Sequence, residues 1–84
     1  MDTLDRIKRI VADELGIDWQ SIHPDDDIEV ELGADSLHMA NIVMTAESEF
    51  DFRLTDDEAI GLRTSRQIAE FIEVRLDEKA VAYL

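Results

Sequence analysis

Leu32-Gly33-Ala34-Asp35-Ser36-Leu37 opens an apolar-periodic stretch that continues to Phe50, and its reading decides the fold. Glycine suits a turn, and the aspartate after it suits the start of a helix. The Asp35 carboxylate can accept hydrogen bonds from the first free amides, a cap worth ~1 kcal/mol. A helix is therefore predicted from Asp35 or Ser36 to about Phe50. Its expected inner stripe is Leu37, Ala40, Val43, Ala46 (or Met44) and Phe50. Ser36 falls at the mouth of this helix, where two readings stand side by side. It is an ordinary helix-start residue, or it is a hydroxyl that carries a covalent group. A phosphate ester there would lie near backbone amides that stabilise negative charge.

Working outward, residues 3–15 read as an amphipathic helix. Leu4, Ile7, Val11 and Leu15 recur at three- and four-residue steps, and Ile10 widens the stripe. Thr3 is the expected cap and Gly16 the expected terminator. Residues 17–34 form a long connection in which Pro24 and the following aspartates oppose a regular helix. A loop of that length in a small domain needs anchors. Ile17, Trp19, Ile22, Ile28 and Leu32 are the candidates. A short helical turn is predicted at 56–61, capped by Thr55 and ended by Gly61, with acids where the helix dipole favours them. A last helix starts near Thr64 or Ser65, with Ile68, Phe71 or Ile72, and Leu76 inward. The tail 80–84 either extends it or is a loose end. No segment alternates with period two, and no repeat or low-complexity segment is found. The expected fold is all-α: a small four-helix bundle, three main helices and one short one, with a long first loop, forming one domain over residues 1–84.

The composition narrows the function. A chain of 84 residues buries a modest share of its surface, which argues against a deep cleft with a full catalytic set. There is no cysteine, and so no thiol chemistry from the protein itself. Residues 1–20 lack the charge pattern of a secretory signal, and no apolar run could span a bilayer. A cytoplasmic monomer is the expectation. Eight basic residues against 21 acidic ones give a net charge of −13, which repels nucleic acid and anionic membranes and attracts basic partners. The acids gather at 25–35 and 47–58, flanking the central helix. Either run alone is ordinary solvated surface; together they suggest a shared docking face.

Counted as a calcium loop from Asp25, the sixth position is Val30 where glycine is required, and the twelfth is Ser36 where glutamate is required. A nucleophilic Ser36 would need a base. His38 lies two residues on, which on a helix is another face, and nothing orients His23 toward it. No histidine pair has metal spacing, so no metal site and no catalytic residue is expected.

The stretch 32–37, followed by Ile42-Val43-Met44 and Glu47-Ser48-Glu49-Phe50, closely resembles the acyl carrier proteins. Val11 to Gly16 resembles the end of that family's first helix, Thr55 to Ala59 its short third helix, and the stripe from Thr64 its fourth. The resemblance implies that Ser36, flanked by Asp35 and Leu37, receives a 4′-phosphopantetheine arm from coenzyme A through a phosphopantetheinyl transferase. The arm's thiol would hold acyl intermediates for enzymes of fatty-acid, lipid or polyketide-type synthesis. The implied role is a non-catalytic carrier. Its partners would be acyl-transferring, condensing or acyl-activating enzymes that dock through basic patches.

The resemblance also distributes roles around Ser36. His38, Asn41, Met44, Glu47, Glu49 and Asp57 are expected to meet partners. Ala40, Val43, Ala46, Phe50, Leu62 and Ile68 are expected to line an acyl pocket. His38 and Asn41 stand where the family usually has acids, and Ser48 interrupts another acidic run, which suggests a specialised carrier with its own partner set. A histidine on that face can gain charge in mild acid. Ala40 and Ala46 are small for the family: either the pocket is roomier, or Met39, Met44 or Ile42 repacks into the space. Two other functions remain open. Aminoacyl or peptidyl carriers usually show paired glycines before the serine, where this chain has Ala34-Asp35. An acidic helical adaptor would carry no prosthetic group at all.

Overall fold

The computed structural model describes the backbone of residues 1–81 and the side chains of residues 1–78. Four helices follow one another: α1 (Thr3–Leu15), α2 (Ser36–Phe50), α3 (Asp56–Ile60) and α4 (Ser65–Val81), with a single 3-10 turn at Trp19–Ser21 in the first loop. The tail 82–84 lies outside the described residues. α1 packs against both α2 and α4, so it is the common wall of a small helical bundle. Its inward face is Ile7, Ile10, Val11 and Ala12; α2 contributes Ile42, Ala46 and Phe50, and α4 Ile68, Ala69 and Ile72. Ile7, Ile28, Ile42 and Ile72 are completely buried. Each such side chain contributes about 1.5–3 kcal/mol of burial free energy, which makes these four the backbone of the core.

Local chemistry fixes the helix ends. Asp2, and not Thr3, caps α1: its carboxylate accepts from the Asp5 amide at 2.8 Å. Both residue types make good caps, and the shift is one position. Gly16 adopts φ 70°, the left-handed conformation in which a side chain would be strained, and its amide closes on Ala12. Thr55 and Glu58 form a reciprocal capping box on α3. Thr64 caps α4, its hydroxyl accepting from the Gln67 amide at 3.1 Å.

The long loop is held by both apolar and polar anchors. Ile22, Ile28 and Ala34 are buried; Trp19 and Leu32 pack partly against the core. Ile17, expected among the anchors, is 40% exposed. Trp19 lies under two cations of α1, with the Arg9 guanidinium 4.3 Å and the Lys8 ammonium 5.3 Å from its ring centroid. Asp27 organises the polar side. Its Oδ1 accepts from the amides of Glu29 and Val30 at 3.0 and 2.8 Å. Its Oδ2 accepts from Arg63 Nε at 2.7 Å. Asp25 pairs with Arg66 at 2.7 Å, and the Arg66 amide bonds the Pro24 carbonyl. The arginines flanking the start of α4 therefore hold the acidic loop in place.

The inner stripe of α2 differs from the expected one. Leu37 and Met44 are 68% and 57% exposed, and Ala40 is exposed. The buried line is Ile42, Ala46 and Phe50, with Met39 packed partly against it. This helix is apolar on two faces, so periodicity alone assigned the second face to the core.

Candidate functional site

Ser36 is the first residue of α2. It is exposed, and its hydroxyl has no hydrogen-bond partner among the described residues. The residues around it are committed elsewhere. Asp35 Oδ1 accepts from the His38 amide at 2.8 Å, and His38 Nδ1 accepts from the Asp35 amide at 3.2 Å. This is a capping box with histidine in the position usually held by glutamate or glutamine. The His38 amide, together with the histidine's charge when it is protonated, keeps the Asp35 carboxyl below the usual range. Asp35 is thus an ionised cap, and His38 fastens the backbone at the helix start. The sequence reading gives His38 a partner-facing role and no part in the cap; a histidine three residues after an aspartate cap is the available signal. His23 is engaged in its own turn, Nδ1 accepting from the Asp25 amide at 3.2 Å.

A groove of about 520 Å³ runs from Ser36 between α2 and the α3 segment. Met39, Ala40, Val43 and Met44 form one wall, and Leu54, Ala59, Ile60 and Leu62 the other. Of the residues expected to line an acyl pocket, Ala40, Val43 and Leu62 are on these walls. Ala46, Phe50 and Ile68 belong instead to the packed core beneath. The exposure of Ala40 follows from its place on the groove rather than in the core. The α3 side is fastened by polar contacts: Arg75 donates to Glu58 Oε2 at 2.6 Å and to the Arg53 carbonyl at 2.9 Å. Glu47 Oε2 accepts from the Leu54 amide at 2.8 Å. α3 itself buries none of its residues.

The residues expected to meet partners divide into two groups. Met44 and Asp57 are exposed and His38 is half-buried beside Ser36. Asn41, Glu47 and Glu49 make internal bonds. Asn41 Nδ2 donates to Glu14 Oε1 at 2.8 Å and joins α2 to α1. Glu49 pairs with Arg6 at 3.0 Å, and that guanidinium lies 4.1 Å over the Phe50 ring. These tertiary bonds have no local sequence signature.

The arrangement fits a phosphodiester-linked arm. A free, exposed hydroxyl stands at the start of a 15-residue helix, where backbone amides favour negative charge, and a partly apolar groove begins beside it. No helix among the described residues is long and apolar enough to cross a membrane.

Comparison with known proteins gives the same direction. The phosphopantetheine attachment site family matches residues 5–72. An acyl carrier protein of Trieres chinensis is 40% identical over 72 residues, covering 86% of this chain and 90% of that protein. Acyl carrier proteins of Chlamydia felis and Solidesulfovibrio magneticus are 33% and 32% identical over 78 residues, each covering 93% of this chain and 100% of the relative. The chain belongs to the acyl carrier protein family, non-catalytic carriers built on a phosphopantetheine attachment domain.

Proposed function

We propose that Ser36 is the attachment point and that the whole chain is one carrier domain, cytoplasmic and monomeric. It would present acyl intermediates to partner enzymes of fatty-acid, lipid or polyketide-type synthesis. The observation that carries this reading is the unpartnered, exposed Ser36 hydroxyl at the first position of α2, beside an aspartate already committed to the cap. The bound 4′-phosphopantetheine would supply the thiol that this cysteine-free chain lacks, and hold the acyl group as a thioester. The chain's own residues do the rest. Asp35 and His38 fix the helix start, so that Ser36 is presented at a constant angle. Ala40, Val43 and Leu62, with Met39 and Ile60, offer apolar cover to an acyl chain in the groove.

Docking would centre on Leu37, His38, Met44, Ile60 and Asp57 around the groove mouth. Leu37, Met44 and Ile60 are 68%, 57% and 75% exposed, an apolar surface that no element among the described residues covers. Acids around it steer basic partners in. Exposed ion pairs are worth ~0–1 kcal/mol and speed association more than they tighten it, which suits a carrier that must leave each enzyme quickly. Glu47, Glu49 and Asn41 would support this face through their internal bonds.

The test is direct. The protein is incubated with coenzyme A and a broad-specificity phosphopantetheinyl transferase, and its intact mass is measured. One phosphopantetheinyl addition is expected, absent in Ser36→Ala. No addition to the wild type, or an addition that survives Ser36→Ala, refutes the assignment and favours an unmodified adaptor.

A further inference from the structure

Among the described residues, the groove beside Ser36 has one cation on its walls, Arg63; the other charged residues there are Glu29, Glu47 and Asp56. A phosphodiester placed on Ser36 adds negative charge to a molecule already at −13. Such a charge is drawn to whatever cation shares its space. Arg63 is tied to the approach to Ser36 through the backbone. Its carbonyl accepts from the Ile28 amide at 2.9 Å, and the Ile28 carbonyl accepts from the Ala34 amide at 3.0 Å, two residues before Ser36. Its guanidinium is oriented but not saturated. Only Nε is engaged, by Asp27 Oδ2 at 2.7 Å, which leaves both Nη groups as donors among the described residues. Arginine presents these in a planar fork that suits phosphate oxygens. The other candidates are differently placed. Arg66 is bonded through two of its nitrogens to Asp25. Arg53 borders a second groove along the C-terminal part of α2, with Ser48 and Phe52, and does not line the one that reaches Ser36.

We propose that Arg63, oriented by Asp27, is the positioning residue that receives the phosphodiester at Ser36 and turns the attached arm toward the groove between α2 and α3. This rests on the Ser36 reading above and adds a recognition element to it. Asp27 leaves two faces of the fork open, so the guanidinium bridges the loop and the modified serine without giving up its existing bond.

The experiment compares apo and modified forms of the wild type, Arg63→Gln and Arg63→Lys. Intact mass first establishes modification. Melting temperatures of both forms and the phosphorus-31 resonance of each modified form are then measured at low and high salt. The shift from apo to modified is expected to be about 1–5 °C more favourable in the wild type than in Arg63→Gln, as one exposed ion pair in a domain of this size gives. Arg63→Lys should recover part of it, and the difference should shrink as salt rises. The phosphorus resonance should move in Arg63→Gln. Each variant is referred to its own apo form, so any loss of the Asp27 pair cancels. Equal shifts and an unmoved phosphorus resonance in wild type and Arg63→Gln, with the mass gain present, overturn the role of Arg63 and leave the Ser36 reading intact. No mass gain removes both.

Discussion

Ser65 offers the sharpest test of the packing. It is the first residue of α4, it is completely buried, and its Oγ has no hydrogen-bond partner among the described residues. A buried hydroxyl without a partner costs about 1–3 kcal/mol in desolvation. Ser65→Ala removes that cost. It also removes one buried heavy atom, whose contacts are worth about 0.1–0.2 kcal/mol each and sum to less than the hydroxyl's penalty. The expected result is a gain of about 1 kcal/mol, or a rise of about 4–8 °C in melting temperature for a domain of this length. Circular dichroism melts and urea titrations of apo wild type and Ser65→Ala measure it. Ser65→Thr is the companion variant: it keeps the hydroxyl, adds a methyl to a filled site, and should cost about 1–3 kcal/mol. If Ser65→Ala lowers stability, the hydroxyl has a partner in solution, such as a buried water, and the reasoning fails.

The two faces of α2 should respond differently to truncation: Ile42→Ala loses about 2–5 kcal/mol, while Leu37→Ala stays within about 0.5 kcal/mol by urea unfolding, and similar losses would mean that the faces are misassigned. Arg75→Met should speed amide exchange in Thr55–Ile60 by removing the Glu58 and Arg53 contacts, with α1 unchanged; equal protection in the variant would show that α3 is held otherwise. Asp25, Asp27, Asp35 and Glu58 all titrate below their ordinary values of 3.8 and 4.5, held there chiefly by Arg66, by Arg63, by the His38 amide and by the Thr55 amide respectively. Their contribution to stability is present above those ordinary values and is lost as pH falls through the depressed ones. Melts from pH 6 to 3 should therefore show an acid limb that Asp27→Asn makes shallower, and an unchanged limb in that variant contradicts the assignment. Added sodium chloride, and magnesium more strongly, should raise the melting temperature of a chain with 21 acids and eight bases; insensitivity to both would mean that repulsion is already balanced.

Most helix boundaries were legible in the sequence because they are set locally. Gly16, Asp35, Thr55 and Gly61 each punctuate the chain within one turn of the group they satisfy, and the observed limits follow them. The place of Ser36 at the start of α2 was legible for the same reason, while the spacing alone left open whether its hydroxyl is more than that of a helix-start residue. The inward face of α2 was not. A helix that borders both a core and a groove is apolar on two sides, and only the placement of α1 and α3 tells Ile42 from Leu37. Asn41 with Glu14, and Asp27 with Arg63, lie 27 and 36 residues apart, so no local pattern could announce them. The acidic loop reads as solvated surface because the arginines that pair with Asp25 and Asp27 come from a distant part of the chain.

The Trp19 indole lies beneath Arg9 and Lys8 and takes no part in the groove. As the sole tryptophan, it gives the molecule one built-in fluorophore, sited where the first loop meets α1. Its emission can track how firmly that loop is seated when the proposed attachment point, Ser36, is modified. A change in colour or intensity on loading would then signal a message passed through the body of the carrier, and a constant signal would mark the two ends as optically separate.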